Sequence, residues 1–203
     1  MTPWTRRDFL TSCLSFPAAA LISSSGAAHA AQGLGQFATP GAAAPCKLNE
    51  KATPAAPQGP EFKPGSPARA SFIEPGVTGH RLVLTGTVSG LTCGPIKGAV
   101  VDFWQADAHG VYDRTGFHLR GHQSTDQAGH YRLETIVPGA VSTHAPHLNV
   151  RVKPPGKAVF ATQIFFPEAP QNKKDAAFRS ELVMKITDGR NGKTAAFDIV
   201  LNV

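Results

Sequence analysis

Six short runs between residue 80 and the C-terminus carry a strand pattern, and Gly, Pro or Asp separates each from the next. "HRLVLTGTV" alternates apolar and polar residues and is β-branched. "AVVDFWQA", "HYRLETI", "HLNVRVKPP", "AVFATQIFFP" and "TAAFDIVLNV" read the same way. In "AVVDFWQA", Val101, Phe103 and Gln105 fall on one face; in "HLNVRVKPP", His147, Asn149 and Arg151 do. Strands this short must bury a sheet face against a second sheet, so the pattern predicts an all-β fold, a β-sandwich. Only "KKDAAFRSEL" (173–182) reads as a helix. A length of 203 residues argues for one main domain, and 20 Gly with 17 Pro fit a loop-rich one.

The first 70 residues stand outside this pattern. "TRRDFL" (5–10) is a twin-arginine pattern, followed by the apolar "LSFPAAALI" and the small-residue "AHA" (28–30). That order predicts a signal peptide over 1–30 and a periplasmic or secreted protein. The apolar stretch is too short for a spanning helix and is interrupted by Pro17, so no membrane span is expected. "LTSC" (10–13) has too little apolar sequence before it for a lipid anchor. Residues 31–70 are rich in Ala, Pro and Gly without apolar period, and read as an extended arm or linker.

Loss of residues 1–30 removes Arg6, Arg7 and Asp8, which lowers the formal charge of +6 by one. The remaining Lys and Arg are scattered, without aromatic interleaving, so no nucleic-acid partner is expected. Cys46 and Cys93 remain after the signal, and two cysteines in an oxidising compartment are expected to pair.

Candidate chemistry concentrates in one stretch. Six of the eight histidines lie between His109 and His147. Tyr112, His144 and His147 are candidate metal ligands, although no pair has the tight spacing of a zinc motif. Loop histidines are otherwise solvated, and "STHAPHLNV" (142–150) is equally a loop entering a strand. No Gly-x-Ser-x-Gly elbow or phosphate-binding loop occurs. Asp107, Asp113 and Asp126 lie in turn-like sequence, where Asp serves the backbone.

In order, "LTGTV", "GPIKGAVVDFWQADAHGVYD", "LRGHQSTDQAGHYRLETIVPG", "APHLNVRV", "TQIFFP" and "FDIVL" resemble the intradiol ring-cleavage dioxygenases of the catechol and protocatechuate type, from Leu82 to Val203. The resemblance implies a β-sandwich domain over 71–203 with a mononuclear ferric ion held by two tyrosines and two histidines. It implies a small aromatic diol as substrate or ligand, and a homo-oligomer. Tyr112 matches the first ligand tyrosine and His147 the first ligand histidine. Asn149 stands where the second histidine belongs, and Ala140 and Val141 occupy the region of the second tyrosine. Tyr131 matches a core aromatic. His144 falls near the family's arginine, as a ligand or substrate contact, and Gln163 matches a glutamine behind the ligands. Two expectations follow: an exported dioxygenase-like enzyme with a remodelled ferric site, or a non-catalytic binding module that has lost the metal. A weaker third is a protein that matures a partner through its Pro-rich arm.

Overall fold

The computed structural model describes residues 51–59, 61–142 and 144–203. The expected signal peptide and the first part of the arm lie outside them. Among the described residues nine strands form two sheets. In chain order they are β1 (Arg81–Gly90), β2 (Val100–Trp104), β3 (Arg120–Ser124), β4 (His130–Ile136), β5 (His147–Lys153), β6 (Phe160–Phe165), β7 (Lys185–Gly189), β8 (Gly192–Ala196) and β9 (Ile199–Leu201). One sheet has the order β4-β1-β8-β7, with β9 beside the end of β1; the other is β3-β2-β5-β6.

The alternation read in the sequence decides which face each strand buries. Leu82, Leu84 and Val88 of β1 and Tyr131 and Leu133 of β4 meet Val101 and Phe103 of β2, Leu148, Val150 and Val152 of β5, and Ile164 of β6 in one core. The opposite face of the second sheet is not left to water, because Gly59, Phe62 and Ser66 of the preceding chain lie against Asn149, Trp104 and Asp102. The chain before β1 also caps sheet edges. Ala56 N donates to Ala161 O of β6 at 3.0 Å, Arg69 N to His122 O of β3 at 2.9 Å, and Phe72 N to Glu134 O of β4 at 2.8 Å. Covering these edges satisfies backbone groups that would otherwise template aggregation. Cys93 is disulfide-bonded; the Cys46 half of the expected bridge lies outside the described residues.

The structure corrects three sequence expectations. No α-helix forms over 173–182; the region holds two short 3-10 turns, Pro170–Lys173 and Ser180–Leu182. Asp175 there accepts from the backbone N–H groups of Ala145 and Ala177 (2.8 and 2.9 Å), Phe178 packs edge-on against Phe165, and Leu182 is fully buried. Tertiary contacts thus outweigh helical propensity. The terminal run divides into β8 and β9 at Phe197 and Asp198. There the Phe197 carbonyl turns toward β1 at Gly86, where a Cβ would lie 1.8 Å from that oxygen. Finally, β3 and β7 are strands that the pattern did not show, because both are polar or exposed.

Tyr131 closes the break between β8 and β9, its hydroxyl donating to Phe197 O at 2.5 Å inside the core. Tyr131→Phe leaves that carbonyl without its partner and is expected to cost about 1–3 kcal/mol. Urea denaturation measures the loss; an unchanged midpoint would show that the carbonyl finds another donor.

Candidate functional site

Strand register assembles the site. In the second sheet Arg120 lies opposite Trp104, Trp104 opposite Asn149, and Asn149 opposite Gln163. Directly paired residues share a face. This row therefore crosses all four strands on the face away from the main core. His147 lies two residues before Asn149 and points to the same side.

The loop after β2 brings in Tyr112. Asp107 Oδ1 accepts from the backbone N–H groups of His109 and Val111 (2.8 and 2.9 Å), and Gly139 N donates to Asp107 O at 2.8 Å. Only glycine fits at position 110, where φ is +81° and a Cβ would lie 2.1 Å from Ala140 O. After the tyrosine, Asp113 accepts from Thr115, Gly116 and His118 N–H groups. Those bonds, led by Gly116, hold its carboxyl well below the usual carboxylate range. The expected backbone role of Asp107, Asp113 and Asp126 is thus what the structure shows; Asp126 likewise caps Ala128 and His130. Tyr112 packs with Trp104 and Ala106, and Phe62 and Val141 close around them.

The polar atoms form one connected chain. His147 Nδ1 donates to Ala145 O at 2.7 Å, which leaves Nε2 as an acceptor. The Tyr112 hydroxyl lies 3.3 Å from Nε2 and donates to it. Asn149 Nδ2 donates to Tyr112 Oη at 2.8 Å, and Gln163 Nε2 donates to Asn149 Oδ1 at 3.2 Å. All four side chains are buried. Burial disfavours charge on each titratable member. It raises the Tyr112 phenol above its ordinary value, against the opposing Asn149 bond and the Arg120 charge. It lowers the His147 imidazole, against the Ala145 carbonyl. Both shifts favour the neutral form of the network.

Of the sequence candidates, Tyr112, His147, Asn149 and Gln163 come together. His144 does not join them: it is half exposed, its Nδ1 lies 3.4 Å from Asp175 Oδ1, and its ring centre is 6.5 Å from that of His147. Val141 contributes only apolar packing. Tyr131 is in the core on the other side of the sheet. Sequence reasoning missed Arg120, Trp104 and Gly59. Arg120 is buried, spans Glu61 O and Asp113 O, and lies 6.0 Å from the Tyr112 ring. Its signal was the strand pairing of β3, which a polar pentapeptide hides.

The family model described as Dioxygenase matches residues 58–203. The chain belongs to the intradiol ring-cleavage dioxygenase family. It is similar to the dioxygenase domain of a dioxygenase–carbohydrate-binding fusion from Streptomyces sp. SirexAA-E, at 42% identity and a TM-score of 0.73, over 75% of this chain and 99% of that one. An intradiol ring-cleavage dioxygenase from Tetranychus urticae gives 26% identity and a TM-score of 0.68, over 75% and 95%. Among curated relatives, catechol 1,2-dioxygenase of Acinetobacter baylyi is 35% identical over 44% of this chain and 32% of its own length. The 6-chlorohydroxyquinol 1,2-dioxygenase of Cupriavidus pinatubonensis is 30% identical over 71% and 62%. The chain thus spans from about a third to somewhat under two thirds of these two relatives.

The donor set does not fit the four-ligand ferric centre implied for the family. One tyrosine and one histidine are present. Val141 offers no donor, and Asn149 aims an N–H at the tyrosine oxygen a metal would need. Ferric iron favours hard anionic donors, and an amide is a poor substitute. Among the described residues no three His, Cys, Asp or Glu side chains converge on a metal position.

The imidazole gives a pH test. Above about pH 6.5 His147 is neutral in both folded and unfolded chains. As pH falls below that value the unfolded chain takes the proton first, because the folded value is lowered. Stability therefore drops until the folded value is passed. Urea midpoints between about pH 8 and pH 5 should show this slope in the wild type, with a shallower slope in His147→Gln. Equal slopes would mean that other groups govern the acid limb.

Proposed function

We propose that this chain is an exported member of the family that binds a catechol-type aromatic diol at the Tyr112–Asn149–Gln163–His147 network without ring cleavage. The observation that carries this reading is the hydrogen-bond chain itself, in which Asn149 links the tyrosine to the glutamine. A planar diol presents two adjacent hydroxyls, each a donor and an acceptor. Released from their present bonds to one another, the His147 Nε2 acceptor and the amides of Asn149 and Gln163 would match such a pair. Trp104 and Phe62 supply aromatic surface for the ring. Family membership supports the substrate class, and the relatives above are named for catechol and chlorohydroxyquinol dioxygenation. The twin-arginine pattern and small-residue cleavage site support export.

A second reading, cleavage at a remodelled ferric centre, is favoured by one distance. Tyr112 Oη and His147 Nε2 are 3.3 Å apart, close enough for two donors to share one ion.

Metal analysis and a visible spectrum of the purified mature protein, before and after incubation with ferric salt, separate the two. The proposed reading expects substoichiometric iron, no tyrosinate-to-iron colour, saturable catechol binding and no oxygen consumption. Tyr112→Phe should weaken that binding roughly 2- to 10-fold, the loss of one hydrogen bond. Stoichiometric iron with a visible band abolished by Tyr112→Phe, and oxygen uptake with catechol, would establish the second reading instead.

A further inference from the structure

The site is already covered by the chain that precedes it. Gly59 sits directly over the network: a Cβ there would lie 1.7 Å from Asn149 Oδ1, 2.7 Å from Asn149 Cγ and 3.2 Å from Gln163 Nε2. Asn149 has no room to yield, because it is fully buried and its amide bonds Trp104 O, Tyr112 and Gln163. Contacts on either side seat the glycine. Upstream, Thr162 Oγ1 donates to Pro54 O at 2.8 Å and Ala56 N to Ala161 O at 3.0 Å. Downstream, Arg120 donates to Glu61 O, and Phe62 packs edge-on against Trp104 with ring centres 5.1 Å apart. Phe62 also lies under the Arg151 guanidinium, 5.3 Å from its ring centre. These anchors are on β2, β3, β5 and β6, the strands that build the site; at the start of the segment Thr53 also exchanges two hydrogen bonds with Val200 of β9.

We infer that the segment around Gly59 is an internal occupant of the site, seated by the absence of a side chain at that position, and that it must lift before an aromatic diol reaches Tyr112 and Asn149. The ligand clause rests on the proposed function; the seating clause does not. Between Pro54 and Gly59 the anchors are two hydrogen bonds to β6, so this part of the strap can open without disturbing the core. Gly59 then sets both the closed state and the space a ligand gains on opening.

Hydrogen exchange read by mass spectrometry on the full mature chain tests this, with 4-nitrocatechol as probe. In the wild type, saturating probe is expected to speed exchange over residues 53–59 at least tenfold while β1 and β5 stay protected. Gly59→Ala should speed the same residues without probe and bind the probe more tightly. Thr162→Val, which removes one anchor away from the network, should speed them about fivefold and keeps the test available if Gly59→Ala does not fold. Probe binding that leaves or increases protection of 53–59 would overturn the displacement. Unchanged exchange in a folded Gly59→Ala, or in Thr162→Val if that variant alone folds, would overturn the seating. Release of the segment in these variants with no probe binding to any protein would uphold the seating and overturn the diol-binding reading instead.

Discussion

The antiparallel register of β3-β2-β5-β6 is the constraint on which the rest depends. Because paired residues share a face, one register places Arg120, Trp104, Asn149 and Gln163 in a row on the face that the core does not use. A slip of one residue would carry that row into the core and Phe103, Val150 and Thr162 out of it. The apolar partners therefore hold the polar row in place. Site precision is inherited from core packing, and residues with no chemical role secure the alignment of those that have one.

That dependence explains what could be read in the sequence. β4 matches its predicted run, and β1 and β5 differ from theirs only at the ends, since half-buried strands announce themselves by alternation. The β-sandwich followed, and so did Tyr112, His147, Asn149 and Gln163, which sit in recognisable motifs. Arg120 lies in such a motif too but did not stand out, because "RGHQS" has almost no apolar content to mark it as a strand: its outer face is covered by the arm, and Gly121 supplies only closeness on the inner one. A Cβ at Gly121 would meet Arg69 Cγ at 2.7 Å and Phe72 Cε1 at 2.9 Å. The helix expected over 173–182 failed for a related reason. Asp175 and Phe178 are committed to Ala145 and Phe165, contacts that are remote in sequence. Gly59 was illegible for the same cause: its role lies wholly in what it touches.

The electrostatics of the site follow from its satisfaction. A buried phenol and a buried imidazole would each be costly if charged, and here neither needs to be. The tyrosine proton goes to His147, the imidazole proton goes to Ala145, and the Asn149 amide fills the remaining acceptor on the phenol oxygen. In a buried polar network, complete satisfaction rigidifies, whereas one missing partner exposes the full desolvation cost. Asn149, like Tyr112 and His147, has both a donor and an acceptor in use. Its position where the resemblance expects a histidine therefore changes the character of the site, from one that leaves lone pairs free for an ion to one that closes on itself.

Arg120 couples this closed network to the strap. One side of its guanidinium binds the carbonyl of Glu61 in the strap, the other binds the carbonyl of Asp113 beside Tyr112, and Nε is left without a partner. A buried arginine cannot shed its charge, so its two carbonyls are needed to offset desolvation. Lifting the strap removes the Glu61 carbonyl and leaves the cation to water or to an incoming acceptor. A diol oxygen entering over Trp104 would meet that cation in the same register row. On the proposed opening, Arg120, one of the residues that seat the strap, is placed to receive the incoming ligand, which would tie the strap and the sheet register into one balance of hydrogen bonds.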